Sequence, residues 1–296
     1  MTHTIATLGS FAKDIVSLTK PQITLTTLIV AVGSMGFAQV PMSIAQIILA
    51  LTGVALLVSG SSAFNMYIER DYDALMTRTQ SRPLPSGRLS PVWALGLGCF
   101  FSILALPVLY FGTNTITLIL GLSSLILYVL VYTPMKRQSS MALFVGAIPG
   151  AMPALMGYTA ATGKVDLPGV LIFSILFFWQ LPHFIAISIY RGAEYAAAGY
   201  PMLPQVWGLA GSKVAVLLTA ILLVLSSMSL WWFDLGGATY RVISTLFGVW
   251  FIFVCVGGFT AKDPDIWSRK VFLASLKYQV MLFLVLAIDL IIQRAN

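Results

Sequence analysis

Nine apolar runs recur along the chain, at about 22–38, 44–64, 91–111, 115–133, 141–161, 168–190, 213–233, 240–260 and 271–292. A helix needs about 20 apolar residues to cross the hydrocarbon core of a bilayer. Only helices and closed barrels satisfy every backbone polar group there, and runs this long and continuous are helical. The expected fold is therefore all-α: a polytopic membrane bundle of about nine transmembrane helices around a central cavity. The segments between runs are too short for a soluble domain of about 50 residues, so residues 1–296 read as a single integral membrane domain. Charged residues make up only 9%, where soluble proteins carry about a quarter. The N-terminal stretch is polar and has no small-residue cleavage site before its first apolar run, so it does not read as a cleavable signal.

The remaining charge is sided. With the N-terminus inside, Lys13, Lys20, Arg70, Arg78, Arg82, Arg88, Lys136, Arg137, Arg191, Lys213, Lys262, Arg269, Lys270 and Lys277 fall on one face of the membrane. Lys164, Arg241 and Arg294 fall on the other. Fourteen against three is a positive-inside bias, which predicts a cytoplasmic N-terminus and cytoplasmic long loops. It also accounts for the net charge of +7 without a nucleic-acid partner; the partner it implies is the lipid bilayer. Asp14, Glu69, Asp71, Asp73, Glu194, Asp263 and Asp265 share the basic side. Positive-inside topology does not require acids there, so they need a separate cause.

The densest group of acids closes the second run. Asn65, Glu69 and Asp73 recur at i, i+4 and i+8, which places them on one helical face. Acids beside a bilayer are costly unless something neutralises them. Three oxygen donors on one stripe suit a hard cation such as Mg²⁺, which pairs a few carboxylates with substrate phosphates. Asp71 points off that stripe, within reach of Arg70 or a loop arginine. Arg78, Arg82 and Arg88 follow at once, and arginine suits bidentate phosphate contact. Lys136-Arg137, after Tyr132-Thr133-Pro134, is a further candidate for phosphate, although topology alone also explains it.

A second constellation reads Trp179-Gln180-Leu181-Pro182-His183-Phe184, then Tyr190-Arg191 and Glu194-Tyr195. Gln180 and His183 lie inside an apolar helix and must face protein or a cavity. His183 reads as a structural hydrogen-bonding group, a haem-iron ligand or a substrate-orienting group. Pro182 should disturb the helix locally. The segment Gly146 to Gly157, GAIPGAMPALMG, suits close helix packing or an opening beside a cavity, packing first. Cys99 and Cys255 stand alone and form no metal or redox spacing. The longest connections on the basic side, about 65–90 and 191–212, both carry acids, a proline-rich turn and a basic residue, the pattern of two half-sites around a cavity.

Together these segments resemble the membrane-embedded UbiA-type prenyltransferases, and among them the protohaem IX farnesyltransferase (haem O synthase) branch. The resemblance runs through Leu18-Thr19-Lys20-Pro21; Asn65, Glu69 and Asp73 with Arg78-Thr79 and Arg82-Pro83-Leu84; and Tyr132-Thr133-Pro134 with Lys136-Arg137. It continues through Pro149-Gly150-Ala151 with Pro153 and Gly157, the Trp179–Glu194 constellation, Pro201-Met202-Leu203-Pro204, and Ile266-Trp267 with Arg269-Lys270. Glu69 stands where the family's acidic motif usually has Asp, and Ala154 where a second proline is expected. The second Asp-rich motif of the superfamily is absent, with Gln180, His183, Arg191 and Glu194 in its place, which favours the haem branch.

The resemblance implies transfer of a farnesyl group from farnesyl diphosphate to a vinyl group of haem B, a substrate rather than a resident cofactor. Asn65, Glu69 and Asp73 would hold Mg²⁺ and carry catalysis. Arg78, Arg82, Lys136, Arg137 and Arg191 would bind diphosphate, and Gln180, His183 and Glu194 would bind haem. It also implies a bacterial-type plasma (inner) membrane and an association with haem A synthase or terminal oxidase assembly. Two alternatives remain open at this point: prenylation of an aromatic quinone precursor, and a cation-coupled transporter using Glu69, Asp73 and His183.

Overall fold

A computed structural model describes residues 8–295, and these are helical with no strand among them. The order is α1 (Leu8–Leu18), α2 (Pro21–Phe37), α3 (Ile44–Asp73), α4 (Pro91–Gly112) and α5 (Thr115–Ile126). A π-helical turn (Leu127–Tyr132) and α6 (Thr133–Met135) extend α5. Then come α7 (Ala142–Thr162), α8 (Leu167–Tyr190), α9 (Gly192–Ala197), α10 (Leu203–Trp232), α11 (Ala238–Val256) with a 3₁₀ turn (Gly257–Phe259), and α12 (Pro264–Ala295). Among the described residues eight helices are long and apolar enough to cross a membrane, or nine if the bent pair α1–α2 is one span. Residues 1–7, where the expected polar N-terminus begins, and the Arg294 side chain lie outside the described set.

Local chemistry sets the helix starts. Ser43 and Gln46 form a reciprocal capping box at α3. Asn114 caps α5 by accepting from the Thr117 backbone N–H at 2.9 Å. Pro21 and Pro91 open α2 and α4, where a missing N–H costs nothing. The π-helical turn has a sequence cause: Pro134 cannot donate to the carbonyl four residues back, so the ladder shifts register before it. By contrast, α8 runs unbroken through Pro182.

Both long connections are shorter than expected. α3 continues through Asp73, so residues 65–73 are helix and the connection proper begins at Ala74. The 191–212 stretch contains α9 and the start of α10, which bends at Gly208, φ 71°. These connections lie at one end of the bundle, here called the basic end.

α8 is central, packing on α7, α10 and α12, while α2 and α5 flank α7, and α4 backs α3. Small residues permit these approaches. A Cβ on Gly157 would stand 2.3 Å from the Ala31 backbone carbonyl oxygen, so α2 and α7 touch there backbone to backbone. A backbone atom cannot rotate away, and overpacking of this kind costs about 1–3 kcal/mol. Gly157→Ala is therefore expected to lower the melting temperature in detergent, whereas Gly36→Ala, with nothing within 4 Å, should leave it unchanged.

Candidate active site

At the basic end α3 runs past its apolar stretch and presents Asn65, Glu69 and Asp73 on one stripe. All three are buried, at 1%, 6% and 2% exposure. Asp71 points away: its side chain is 76% exposed and lies 3.6 Å from Arg70 Nε. Buried carboxylates require compensating charge, and each position of the stripe has its own cation from a different element. Lys20 Nζ, in the break between α1 and α2, donates to Asn65 Oδ1 at 2.7 Å. Lys136, just beyond α6, pairs with Glu69. Arg82, folded back from the following connection, donates from Nη1 to Asp73 Oδ2 at 2.6 Å. Asn65 Nδ2 donates to Thr133 Oγ1 at 3.3 Å, which fixes the amide with its oxygen towards Lys20.

Burial and then the Arg82 charge lower the Lys20 ammonium to about 7; Lys136 adds to this, and Glu69 and Asp73 oppose it. Burial raises the Tyr200 phenol, so that hydroxyl stays neutral.

These groups line a cavity of about 280 Å³ that Arg78 also reaches. Its walls are aromatic and apolar: Tyr128 and Tyr132, aimed inward from the π-helical turn, with Leu143, Phe184 and Ile187. The two long connections close over it. Glu194 Oε1 accepts from the Arg78 backbone N–H at 3.2 Å, and Oε2 accepts from Arg191 Nη1 at 3.1 Å. Met76, Ala198 and Tyr200 form a small buried cluster with Tyr72 and Tyr195 beside this contact. A second, more apolar cavity of about 110 Å³ adjoins the first; Ile23 and Tyr128 line both.

Of the residues singled out by sequence, Asn65, Glu69, Asp73, Arg78, Arg82 and Lys136 converge on the main cavity. Six others do not line it, among them Arg88, which pairs with Asp14 on α1 at 3.0 Å. Arg137 instead bonds the Ile68 carbonyl and stacks 4.0 Å from the Tyr72 ring centre, propping the end of α3. Arg191 sits in a separate shallow pocket with Tyr190, Asp265 and Arg269. Glu194 holds the two connections together. Gln180 Nε2 donates to the Ala147 and Leu176 carbonyls, at 3.2 and 3.0 Å, with its side chain over Gly150. His183 Nδ1 lies 2.9 Å from Ser275 Oγ on α12, with its ring between Trp179 and Phe272. The physical reason is the same for Gln180 and His183: α8 is packed on several sides, and its cavity face carries Phe184 and Ile187. Lys20, Tyr128, Tyr132, Tyr195 and Tyr200 were not anticipated as site residues. Lys20, Tyr132 and Tyr195 had a sequence signal, in Leu18-Thr19-Lys20-Pro21, Tyr132-Thr133-Pro134 and Glu194-Tyr195; Tyr128 and Tyr200 had none.

Among the described residues no three His, Cys, Asp or Glu side chains cluster as a complete metal cage. Two carboxylates and one amide oxygen on a single stripe are instead the partial set that suits Mg²⁺ when phosphate oxygens and water supply the rest. The donor chemistry therefore fits a metal–diphosphate head group.

The UbiA prenyltransferase family profile matches residues 26–276. The protoheme IX farnesyltransferase of Myxococcus xanthus (strain DK1622) is 40% identical over 282 residues, covering 95% of this chain and 96% of its own. That of Sorangium cellulosum (strain So ce56) is 46% identical over 238 residues, covering 80% and 85%. In fold, the chain is similar to digeranylgeranylglyceryl phosphate synthase, TM-score 0.82 at 18% identity, covering 95% and 98%. It is also similar to a UbiA homologue from Archaeoglobus fulgidus bound to DMAPP and Mg²⁺, TM-score 0.67 at 18% identity, covering 93% and 99%.

Proposed function

The chain belongs to the UbiA prenyltransferase family, and from that premise we propose that it transfers a farnesyl group from farnesyl diphosphate to a vinyl group of protohaem IX (haem B). The products are haem O and diphosphate. The observation that carries this reading is the α3 stripe with its three cations, a buried site built for a metal–diphosphate head group. The acceptor is the one that the protoheme IX farnesyltransferase relatives are named for, which match 95% and 80% of the chain.

Asn65, Glu69 and Asp73 would hold Mg²⁺, which when bound would supply positive charge at the departing diphosphate. Lys136 and Arg82 pair with the two carboxylates of that stripe, and Lys20 with its amide oxygen. Lys20, Lys136, Arg82 and Arg78 line the same cavity and would meet the phosphate oxygens there. Cations placed in advance where negative charge develops stabilise the transition state. The breaking C–O bond leaves its electron pair on diphosphate and positive charge on the allylic carbon. Tyr128, Tyr132 and Phe184 line the same cavity, and aromatic faces attract cations. A vinyl carbon of haem donates the new C–C bond, water adds at the adjacent carbon, and a proton leaves.

Gln180 and His183 support the α8 wall from behind, through Ala147 and Ser275. Arg191, Glu194 and Arg137 hold the cover and the end of α3. The positive-inside bias supports a cytoplasmic mouth, and the membrane is read as a bacterial-type plasma membrane. A membrane transporter would keep its ion site near the bilayer midplane, whereas these acids stand at a helix end and are paired with cations.

The test offers haem B and 4-hydroxybenzoate in parallel, each with farnesyl diphosphate. Prenylation of haem B alone is expected; prenylation of the benzoate alone would overturn the acceptor assignment.

A further inference from the structure

The second cavity has a defined far end. We propose that Leu57 and Met156, seated against Gly121, form an end wall that sets the length of the prenyl donor at three isoprene units. This rests on the donor reading above and names the residues that measure the tail.

The α3 face that carries Asn65 continues away from the basic end through Ser62, Ser61, Val58, Leu57 and Val54, all lining the second cavity. From Asn65 to Leu57 is 8 residues, about 12 Å of helix. Facing it, α7 runs from Gly146 in the first cavity to Met156 in the second, about 15 Å. The two helices thus give a depth of about 12–15 Å. An extended isoprene unit is about as long as one helical turn, ~5 Å, so three units fill this depth and a fourth meets the end.

The end is closed. Leu57 and Met156 are 4% and 3% exposed and belong to a packed cluster with Val54, Ala105 and Leu109. Just beyond, the contact of Gly157 with the Ala31 backbone draws α2 onto α7. Gly121 on α5 sets how far the wall stands back. A Cβ there would lie 2.5 Å from Leu57 Cδ1 and 3.0 Å from Met156 Cε. Both are ends of flexible side chains, and the open cavity is where they can yield.

The two kinds of substitution therefore act in opposite directions. Leu57→Ala and Met156→Ala deepen the cavity, whereas Gly121→Ala pushes the wall inward. One methylene in an apolar pocket shifts selectivity by about tenfold or more. The full-length protein with Mg²⁺ and haem B is assayed with geranyl, farnesyl and geranylgeranyl diphosphates. The ratio of kcat/KM for geranylgeranyl over farnesyl donor is expected to rise about tenfold in Leu57→Ala and Met156→Ala. In Gly121→Ala the ratio of geranyl over farnesyl should rise instead. A loss of packing alone lowers all donors together and leaves the ratios fixed; fixed ratios in all three variants would overturn the proposal. A second arm omits the acceptor and measures displacement of labelled farnesyl diphosphate by the three donors. Shifted displacement orders without any haem product would uphold the wall and reject the acceptor. Failure of every donor to compete in the wild-type protein would reject both.

Discussion

Asp73→Asn is expected to lower pyrophosphate release from farnesyl diphosphate by about a thousandfold, the upper range for removing one preorganised electrostatic group. The side chain keeps its shape, so the effect reads charge rather than packing. Asp73 is 2% exposed and holds the Arg82 guanidinium at 2.6 Å. Without the carboxylate the stripe loses one of its two anionic donors, and Arg82 loses the partner that folds it back over the cavity. Thr79 Oγ1 donates to the Asp73 carbonyl, a backbone contact that the substitution leaves intact. Pyrophosphate release measured in detergent, with helical content checked by circular dichroism, separates lost catalysis from lost fold. Wild-type turnover in a folded Asp73→Asn protein would refute the metal-site assignment.

Removing divalent metal is expected to have an effect of similar size. After EDTA treatment turnover should fall by at least about a hundredfold and return when Mg²⁺ is added in excess. The stripe itself gives the reason. Glu69 and Asp73 are its only carboxylates, and the cations beside them are positioned to occupy them when no metal does. Without metal, Lys136 and Arg82 remain engaged with these acids rather than with phosphate, so the diphosphate loses both the metal and its protein cations. EDTA-treated protein that kept full activity would show that the lysine and arginine groups alone suffice.

Much of the fold was legible because bilayer crossing imposes length and polarity on every span. The α3 stripe was legible too, since four-residue spacing fixes a helical face whatever the tertiary structure. Asp71, between Glu69 and Asp73 in sequence, accordingly turned out exposed. The orientation of α8 was not legible. That helix is apolar around its circumference and packs on α7, α10 and α12, so no periodicity tells which side Gln180 and His183 occupy. Contacts with Ala147 and Ser275, distant in sequence, decide it. Lys20 was missed as a site residue for a similar reason: it meets Asn65 across 45 positions of chain. The inward aim of Tyr128 and Tyr132 depends on a π-helical turn whose one local sign is Pro134. The connections also looked longer than they are, because Glu69 and Asp73 extend α3 at positions where charge suggested its end.

The most direct test of the proposed reaction is the mass of the pigment recovered after incubating the purified protein with haem B, Mg²⁺ and farnesyl diphosphate. A gain of one hydroxyfarnesyl unit on the porphyrin, with one pyrophosphate released per product, is the predicted result. Unmodified haem B recovered alongside released pyrophosphate would contradict it.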